Sequence, residues 1–160
     1  IGNFGFPFIP IQITLIDAAM EAYPSFLTIF ENDIRPIRNR FLDTAIRNAL
    51  PFSISALVMM GVVALLPFSI QEQHTMMYTL LILTTMAAVI KSCVPFTKMR
   101  LFICVTMIIG TFAALWLFPA LLDITALSGT QIIWVLLIFC GGTVVLYGWF
   151  HFKGGIEYGI

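Results

Sequence analysis

Charge is scarce in this sequence. Asp, Glu, Lys and Arg make up 10% of its 160 residues, against 60% hydrophobic residues and a mean hydropathy of +1.01. Soluble globular domains carry about 25% charged residues, and a soluble helical domain this apolar would need several helices hydrophobic all round. The formal net charge is zero, so the informative quantity is where the charges sit, and no nucleic-acid partner is expected. Cysteine is also sparse: Cys93, Cys104 and Cys140 lie in or near apolar runs with no CxxC and no nearby His pair. That excludes a disulfide framework or zinc site and leaves them as packing residues. The opening IGNFGFPFIP has no basic n-region and no small-residue cleavage site, so it is not a signal peptide. Ile1 is not an initiator, and an earlier crossing in a larger parent protein is expected.

What the sequence does have is length without charge. Residues 48–71, 73–90, 101–122 and 124–152 contain no Asp, Glu, Lys or Arg, and residues 1–30 contain only Asp17 and Glu21. About 20 mostly apolar residues cross the hydrocarbon of a bilayer as a helix. The reading is an all-α integral membrane chain, a bundle of five transmembrane helices at about 9–30, 46–67, 75–96, 101–121 and 130–151, with a loop at 31–45. Arg35, Arg38, Arg40 and Arg47 follow the first crossing, Lys91, Lys98 and Arg100 the third, and Lys153 the fifth. All eight basic residues thereby fall on one side, which the positive-inside rule makes cytoplasmic. The lipid bilayer is the first expected partner, with the N-terminus outside, the C-terminus inside, and a bacterial plasma membrane as the expected location.

Pro24 lies within the first crossing, where it lacks the N–H that would bond back toward Met20. A first helix interrupted or bent between Met20 and Pro24 is expected. The connection after it is dense in charge, with a helical apolar spacing at Phe41, Leu42, Ala45, Ile46 and Ala49 and an acid-before-base pair, Asp43 and Arg47. It reads either as a headgroup anchor or as a docking surface for a cytoplasmic domain. Small residues in later crossings, Gly110 with Ala114, Gly141 and Gly142, suit close helix contact. Trp116, Trp134, Tyr147 and Trp149 lie toward helix ends, at headgroup level. Lys91 is expected to snorkel to the cytoplasmic interface.

Asp17 and Glu21 are four residues apart, which puts their carboxylates on one helix face about a turn from each other. An ionised acid near the bilayer centre costs roughly 2.5–3.5 kcal/mol on insertion scales. No Lys or Arg lies in the same run, so compensation must come from another helix or a bound ion. A hard cation such as Ca²⁺ takes six to eight oxygens from carboxylates, amides and backbone carbonyls. A proline-disturbed helix offers carboxylates and freed carbonyls together. Proton carriage is the competing use, because close carboxylates keep one proton at raised pKa; a protonated pair bonded to neighbouring helices is the structural alternative. The acids are expected to face the bundle.

The run from Pro10 to Ser25, PIQITLIDAAMEAYPS, resembles the sixth transmembrane helix of P-type cation-transporting ATPases, especially the bacterial calcium-pump-like branch. In calcium pumps that helix follows P-x-Q-x-x-x-x-N-x-x-T-D-G-x-P, and its Asn, Thr and Asp contribute to the ion sites. Asp17 stands at the Asn position and Glu21 at the Asp position, with Pro10, Gln12 and Pro24 in register. Met20 replaces the Thr and Ala22 the Gly. The eighth helix of two-site calcium pumps supplies a Glu, whereas residues 75–90 contain no acid.

The resemblance implies that this chain is the sixth to tenth helices of a ten-helix pump membrane domain. Asp17 and Glu21 would be ligands of a transported cation, Ca²⁺ before Mg²⁺, Mn²⁺ or protons, with Gln12 and Pro24 in support. It also implies ATP and Mg²⁺ acting in domains of the remaining N-terminal part of the same pump, and a cytoplasmic docking role for Arg35, Arg38 and Arg40. A proton- or cation-coupled secondary transporter or channel, and a noncatalytic helical membrane scaffold, are the alternatives in other classes.

Overall fold

The computed structural model describes residues 7–30 and 41–157. Within them every element is helical: α1 (Pro10–Ile16), a π-helical segment (Asp17–Ala22), α2 (Tyr23–Thr28), α3 (Phe41–Ala64), α4 (Ile70–Ser92), α5 (Lys98–Leu117) and α6 (Gly129–Glu157). The first three run without a gap, so the described chain forms five helical rods.

Local chemistry sets the ends of these rods. Pro10 occupies the first turn of α1, where a missing N–H costs nothing. Ser69 and Glu72 form a capping box: the Glu72 carboxylate accepts from the Ser69 N–H at 2.9 Å, and the Ser69 hydroxyl accepts from the Glu72 N–H at 3.4 Å. That box starts α4 at Ile70, a turn earlier than the apolar run suggests. Thr97 does the same for α5, its hydroxyl accepting from Arg100 N–H at 3.2 Å. The lead-in around Phe41 and the second crossing are one continuous helix, α3, with Pro51 inside it.

Among the described residues three helices are long and apolar enough to cross a membrane: Ile70–Ser92, Lys98–Leu117 and Gly129–Leu146. The apolar part of α3, Asn48–Ala64, is shorter. Hydropathy and burial run opposite to the habit of soluble proteins. The spanning window of α4 has a mean hydropathy of 1.4 and is 44% buried, whereas those of α5 and α6 reach 2.0 with 22% and 17% buried. Apolar faces turn outward where lipid is the solvent, and the more polar helix takes the centre.

α4 packs against α1, the π segment, α3, α5 and α6. Two of its buried polar side chains reach other parts of the chain. Tyr78 donates to the Gln12 carbonyl at 3.1 Å, and Thr75 meets the Thr125 hydroxyl at 3.1 Å. Two apolar clusters flank it: Ile16, Met20, Ile82 and Met107 on the first-rod side, and Met59, Val63, Leu80 and Val135 between α3, α4 and α6. Among the described residues no buried side-chain nitrogen or oxygen lacks a hydrogen-bond partner. Of the two adjacent glycines, Gly142 is the close approach: a Cβ there would lie 2.5 Å from Met59 Sδ and 3.0 Å from Ser55 Oγ.

Candidate cation site on the first rod

The first rod is wound in two ways. Where α1 gives way to the π segment, hydrogen bonds lengthen from four residues to five; the Tyr23 N–H donates to the Ala18 carbonyl. Pro24 accounts for the change. The N–H it lacks would serve Met20 in an α-helix and Ala19 in a π-helix. A carbonyl oxygen beside the acids is therefore without that donor. The interruption expected from Pro24 is thus a change of winding that begins at Asp17, and the chain stays helical through it. Single-turn π segments inside α-helices are frequent at functional sites.

Packing divides the rod into two faces. Gln12, Ile16, Met20 and Pro24, four residues apart throughout, are buried. Met20, at 3% exposed, sits in the cluster with Tyr78 and Met107, and Thr85 Oγ1 lies 2.7 Å from its sulfur. At the end of this face, Tyr23 and Thr106 share a hydroxyl contact of 2.6 Å, joining the rod to α5.

Asp17 and Glu21 lie on the other face, and both are exposed. The expectation that both would turn into the bundle is not met among the described helices: the apolar stripe is the buried face, while Asp17 is exposed and Glu21, also exposed, borders a cavity shared with α4 and α5. They have company there. Thr14, Asp17, Glu21, Ser25 and Thr28 recur at three- and four-residue steps, and all are exposed. The result is a line of side-chain oxygens along one face of a rod with no Lys or Arg in it. The Thr14 hydroxyl donates to the Pro10 carbonyl at 3.0 Å and the Thr28 hydroxyl to the Ser25 carbonyl at 2.8 Å, which leaves their lone pairs outward. Thr14, Ser25 and Thr28 were not singled out from the sequence, although their spacing was the available signal.

Below Glu21 a cavity of about 520 Å³ opens between the rod, α4 and the start of α5, lined among others by Met20, Pro24, Ser25, Ala88 and Arg100. Arg100 brings a full positive charge to the wall that Glu21 shares. Gln12 stands elsewhere. Its amide nitrogen donates to the Leu122 carbonyl at 2.8 Å, and its amide oxygen accepts from the Ile9 N–H at 3.1 Å, so both ends serve the backbone at the head of the rod. Arg35, Arg38 and Arg40 lie outside the described residues, as do the side chains of Asp43 and Arg47. Lys91, in the last turn of α4, is exposed with its ammonium 5.5 Å from the centre of the Phe52 ring.

Among the described residues no three His, Cys, Asp or Glu side chains come together as a metal-binding group. The acid pair supplies two carboxylates, and the N–H missing at Pro24 removes one donor from the backbone beside them. The remaining ligands of a six-to-eight-oxygen shell would have to come from outside this rod.

Comparison with known proteins gives one informative relative. Over 132 aligned residues the chain is 39% identical to a probable cation-transporting ATPase of Streptococcus pneumoniae, an alignment covering 77% of this chain and 17% of that protein. The chain thus spans less than a fifth of the length of the relative it matches. No family model matches, and no solved structure does. The similarity supports a relationship to cation-transporting ATPases, and with the apolar helices it supports a membrane location.

Proposed function

We propose that this chain is the C-terminal membrane part of a P-type cation pump of the calcium-pump-like branch, its helices the sixth to tenth of the parent domain. In this reading Asp17 and Glu21 are direct ligands of one transported cation, Ca²⁺ before Mn²⁺ or Mg²⁺. The observation that carries it is the acid pair on a π segment, within an oxygen-lined face that the rod does not use to pack against its own bundle. Two exposed carboxylates in an apolar rod are costly in lipid; a divalent ion between them and a covering helix offsets that cost. The related cation-transporting ATPase supports the transport half of the reading.

The chemistry asked of these residues is binding and release. Two carboxylates balance the charge of one divalent ion, and the carbonyl freed ahead of Pro24 adds an uncharged oxygen. Because that carbonyl belongs to a widened turn, tightening or loosening the turn would change its distance to the ion without moving the buried face. ATP and Mg²⁺ would act in cytoplasmic domains of the N-terminal part of the same pump, and Arg35, Arg38 and Arg40 would lie against one of them.

The test is cation-dependent phosphorylation of the full-length protein from ATP, measured across Ca²⁺, Mg²⁺ and Mn²⁺ for the wild type, Asp17→Asn and Glu21→Gln. The expected result is a shift of the divalent dependence to higher concentration, larger for Glu21→Gln. A second reading has one observation behind it: Arg100 shares a cavity with Glu21, and could neutralise it permanently. Arg100→Gln should leave cation dependence near that of the wild type if the ion is the partner; if Arg100 is, Arg100→Gln and Glu21→Gln should each lower the unfolding temperature with no cation-specific shift.

A further inference from the structure

The first rod contains one residue more than its packing needs. Gln12, Ile16, Met20 and Pro24 are all buried, so the packed stripe completes three turns in twelve residue steps. An α-helix completes three turns in about 10.8. Wound as an α-helix throughout, the stripe would drift by about 40° at each four-residue step and leave Pro24 about 120° from the face that Gln12 buries. The π segment absorbs the excess through bonds that reach back five residues instead of four. Both ends are anchored while it does so. The head is held by the Gln12 amide on the Leu122 carbonyl at 2.8 Å and by the Tyr78 hydroxyl on the Gln12 carbonyl at 3.1 Å, and the tail by Tyr23 against Thr106 at 2.6 Å.

Hydrogen bonding shows where the excess sits. The Asp17 N–H still donates to the Ile13 carbonyl, as in an α-helix, whereas the Tyr23 N–H reaches back to Ala18. Asp17 therefore keeps the phase of α1, and the wide turn closes after Glu21. Each acid stands one position after a buried residue, Asp17 after Ile16 and Glu21 after Met20. One residue of winding is about 100°. With the extra residue taken up before Asp17 instead, the acids would follow the phase of α2, turned by about 100° into the places that Ile16 and Met20 now fill. Those places hold polar groups: Thr85 Oγ1 lies 2.7 Å from the Met20 sulfur, and Tyr78 belongs to the cluster around Ile16 and Met20. A hydroxyl against a thioether is a weak pairing that a carboxyl oxygen would improve. Ile16 and Met20, turned out in exchange, would meet lipid tails as apolar as the core they leave.

We infer that the wide turn is a movable winding defect, and that its passage from one side of Asp17 and Glu21 to the other turns both acids from the cation-binding flank onto α4. The inference rests on the cation assignment proposed above and adds the step that releases the ion. Adjusting the turn in place leaves the buried face where it is; carrying it past the acids turns the middle of the rod while Gln12 and Tyr23 stay anchored. A one-residue shift between fixed ends is a discrete change between two packings, the kind of step that switching elements use.

Single-residue deletions lock the two arrangements. Without Ala22, the eleven remaining steps from Gln12 to Pro24 fit three α-helical turns to within about 20° and keep the acids in the phase of α1. Without Ile13, the same residue is lost ahead of Asp17, and the acids are turned onto α4. An alanine inserted after Ala22 adds a second excess residue that the anchors have no turn to absorb. Thermal unfolding, equilibrium Ca²⁺ binding and ATP-driven Ca²⁺ transport would be measured on the full-length wild type, these three variants and Glu21→Gln. Both deletions should unfold within a few degrees of the wild type, and the insertion well below it. The Ala22 deletion should bind Ca²⁺ within about threefold of the wild type yet transport it at no more than about a tenth of the rate, whereas the Ile13 deletion should lose affinity by about 100-fold or more. A deletion that unfolds as the insertion does would overturn the inference, as would two deletions that bind and transport alike. Glu21→Gln separates the two failures: unchanged affinity there sinks the cation reading itself, while lost affinity there with both deletions binding alike sinks only the rotation.

Discussion

Gln12 separates structural from ligand roles on the first rod. It is 3% exposed, and its side chain ties the head of α1 to the loop after α5 through the Leu122 carbonyl and to its own cap through the Ile9 N–H. Gln12→Met keeps most of the volume and removes both bonds. Leaving the buried Leu122 carbonyl unpaired costs about 1–3 kcal/mol, and loss of the half-buried Ile9 bond about 0.5–1.5. The expected destabilisation is therefore about 1.5–4.5 kcal/mol, with Gln12→Ala worse because a cavity is added. Thermal unfolding of the full-length protein in detergent measures this, with cation binding measured alongside. Both variants should unfold at lower temperature and bind the cation with wild-type affinity once folded. A Gln12→Met protein that unfolds like the wild type but loses cation affinity by tenfold or more would make Gln12 a ligand and refute the reasoning.

Gly142→Ala should destabilise the α3–α6 contact by about 1–3 kcal/mol through overpacking against Met59, while Gly141→Ala, into open space, should not; the pair is read by thermal unfolding. Single cysteines at Gln73 and Ser128 should label from outside intact cells, and those at Asn39 and Gly154 only after permeabilisation; labelling of Asn39 in intact cells would invert the topology. Replacing Arg38 and Arg40 by Ala should slow the coupled cycle more than it weakens cation affinity, because a docking surface acts at a distance from the ion; turnover and affinity measured together decide it.

The helical membrane architecture was legible because charge is absent over whole spans and the basic residues cluster between them. Helix starts were less so: Ser69 and Thr97 carry cap signals, but a count of apolar residues passes over them, and α4 was expected to begin near 75. Pro24 announced a disturbance without telling that the winding would change from Asp17 onward, since the ring removes a donor at one position and the backbone chooses how far upstream to absorb the loss. The orientation of the acids was hidden for a different reason. In a lipid-embedded rod the costly acidic face is the one expected to turn inward, and only the run Gln12, Ile16, Met20, Pro24, read against α4 and α5, shows that the other face packs. The central place of α4 was open to inspection, because its threonines and Tyr78 lower its hydropathy below that of its neighbours.

The central claim is that Asp17 and Glu21 jointly hold one divalent cation, and direct equilibrium binding tests it without passing through catalysis. Ca²⁺ binding to the purified full-length protein would be titrated for the wild type, Asp17→Asn, Glu21→Gln and the double variant, with unfolding temperature recorded for each. A unit charge about 4 Å from another is worth about 4 kcal/mol at an effective dielectric near 20. Even heavily compensated, its removal should weaken divalent binding by at least about 100-fold, or 2.7 kcal/mol. The account predicts that loss for Glu21→Gln, a milder one for Asp17→Asn, and no measurable binding at this site in the double variant, all in folded protein. Wild-type Ca²⁺ affinity and stoichiometry in the folded double variant would contradict it.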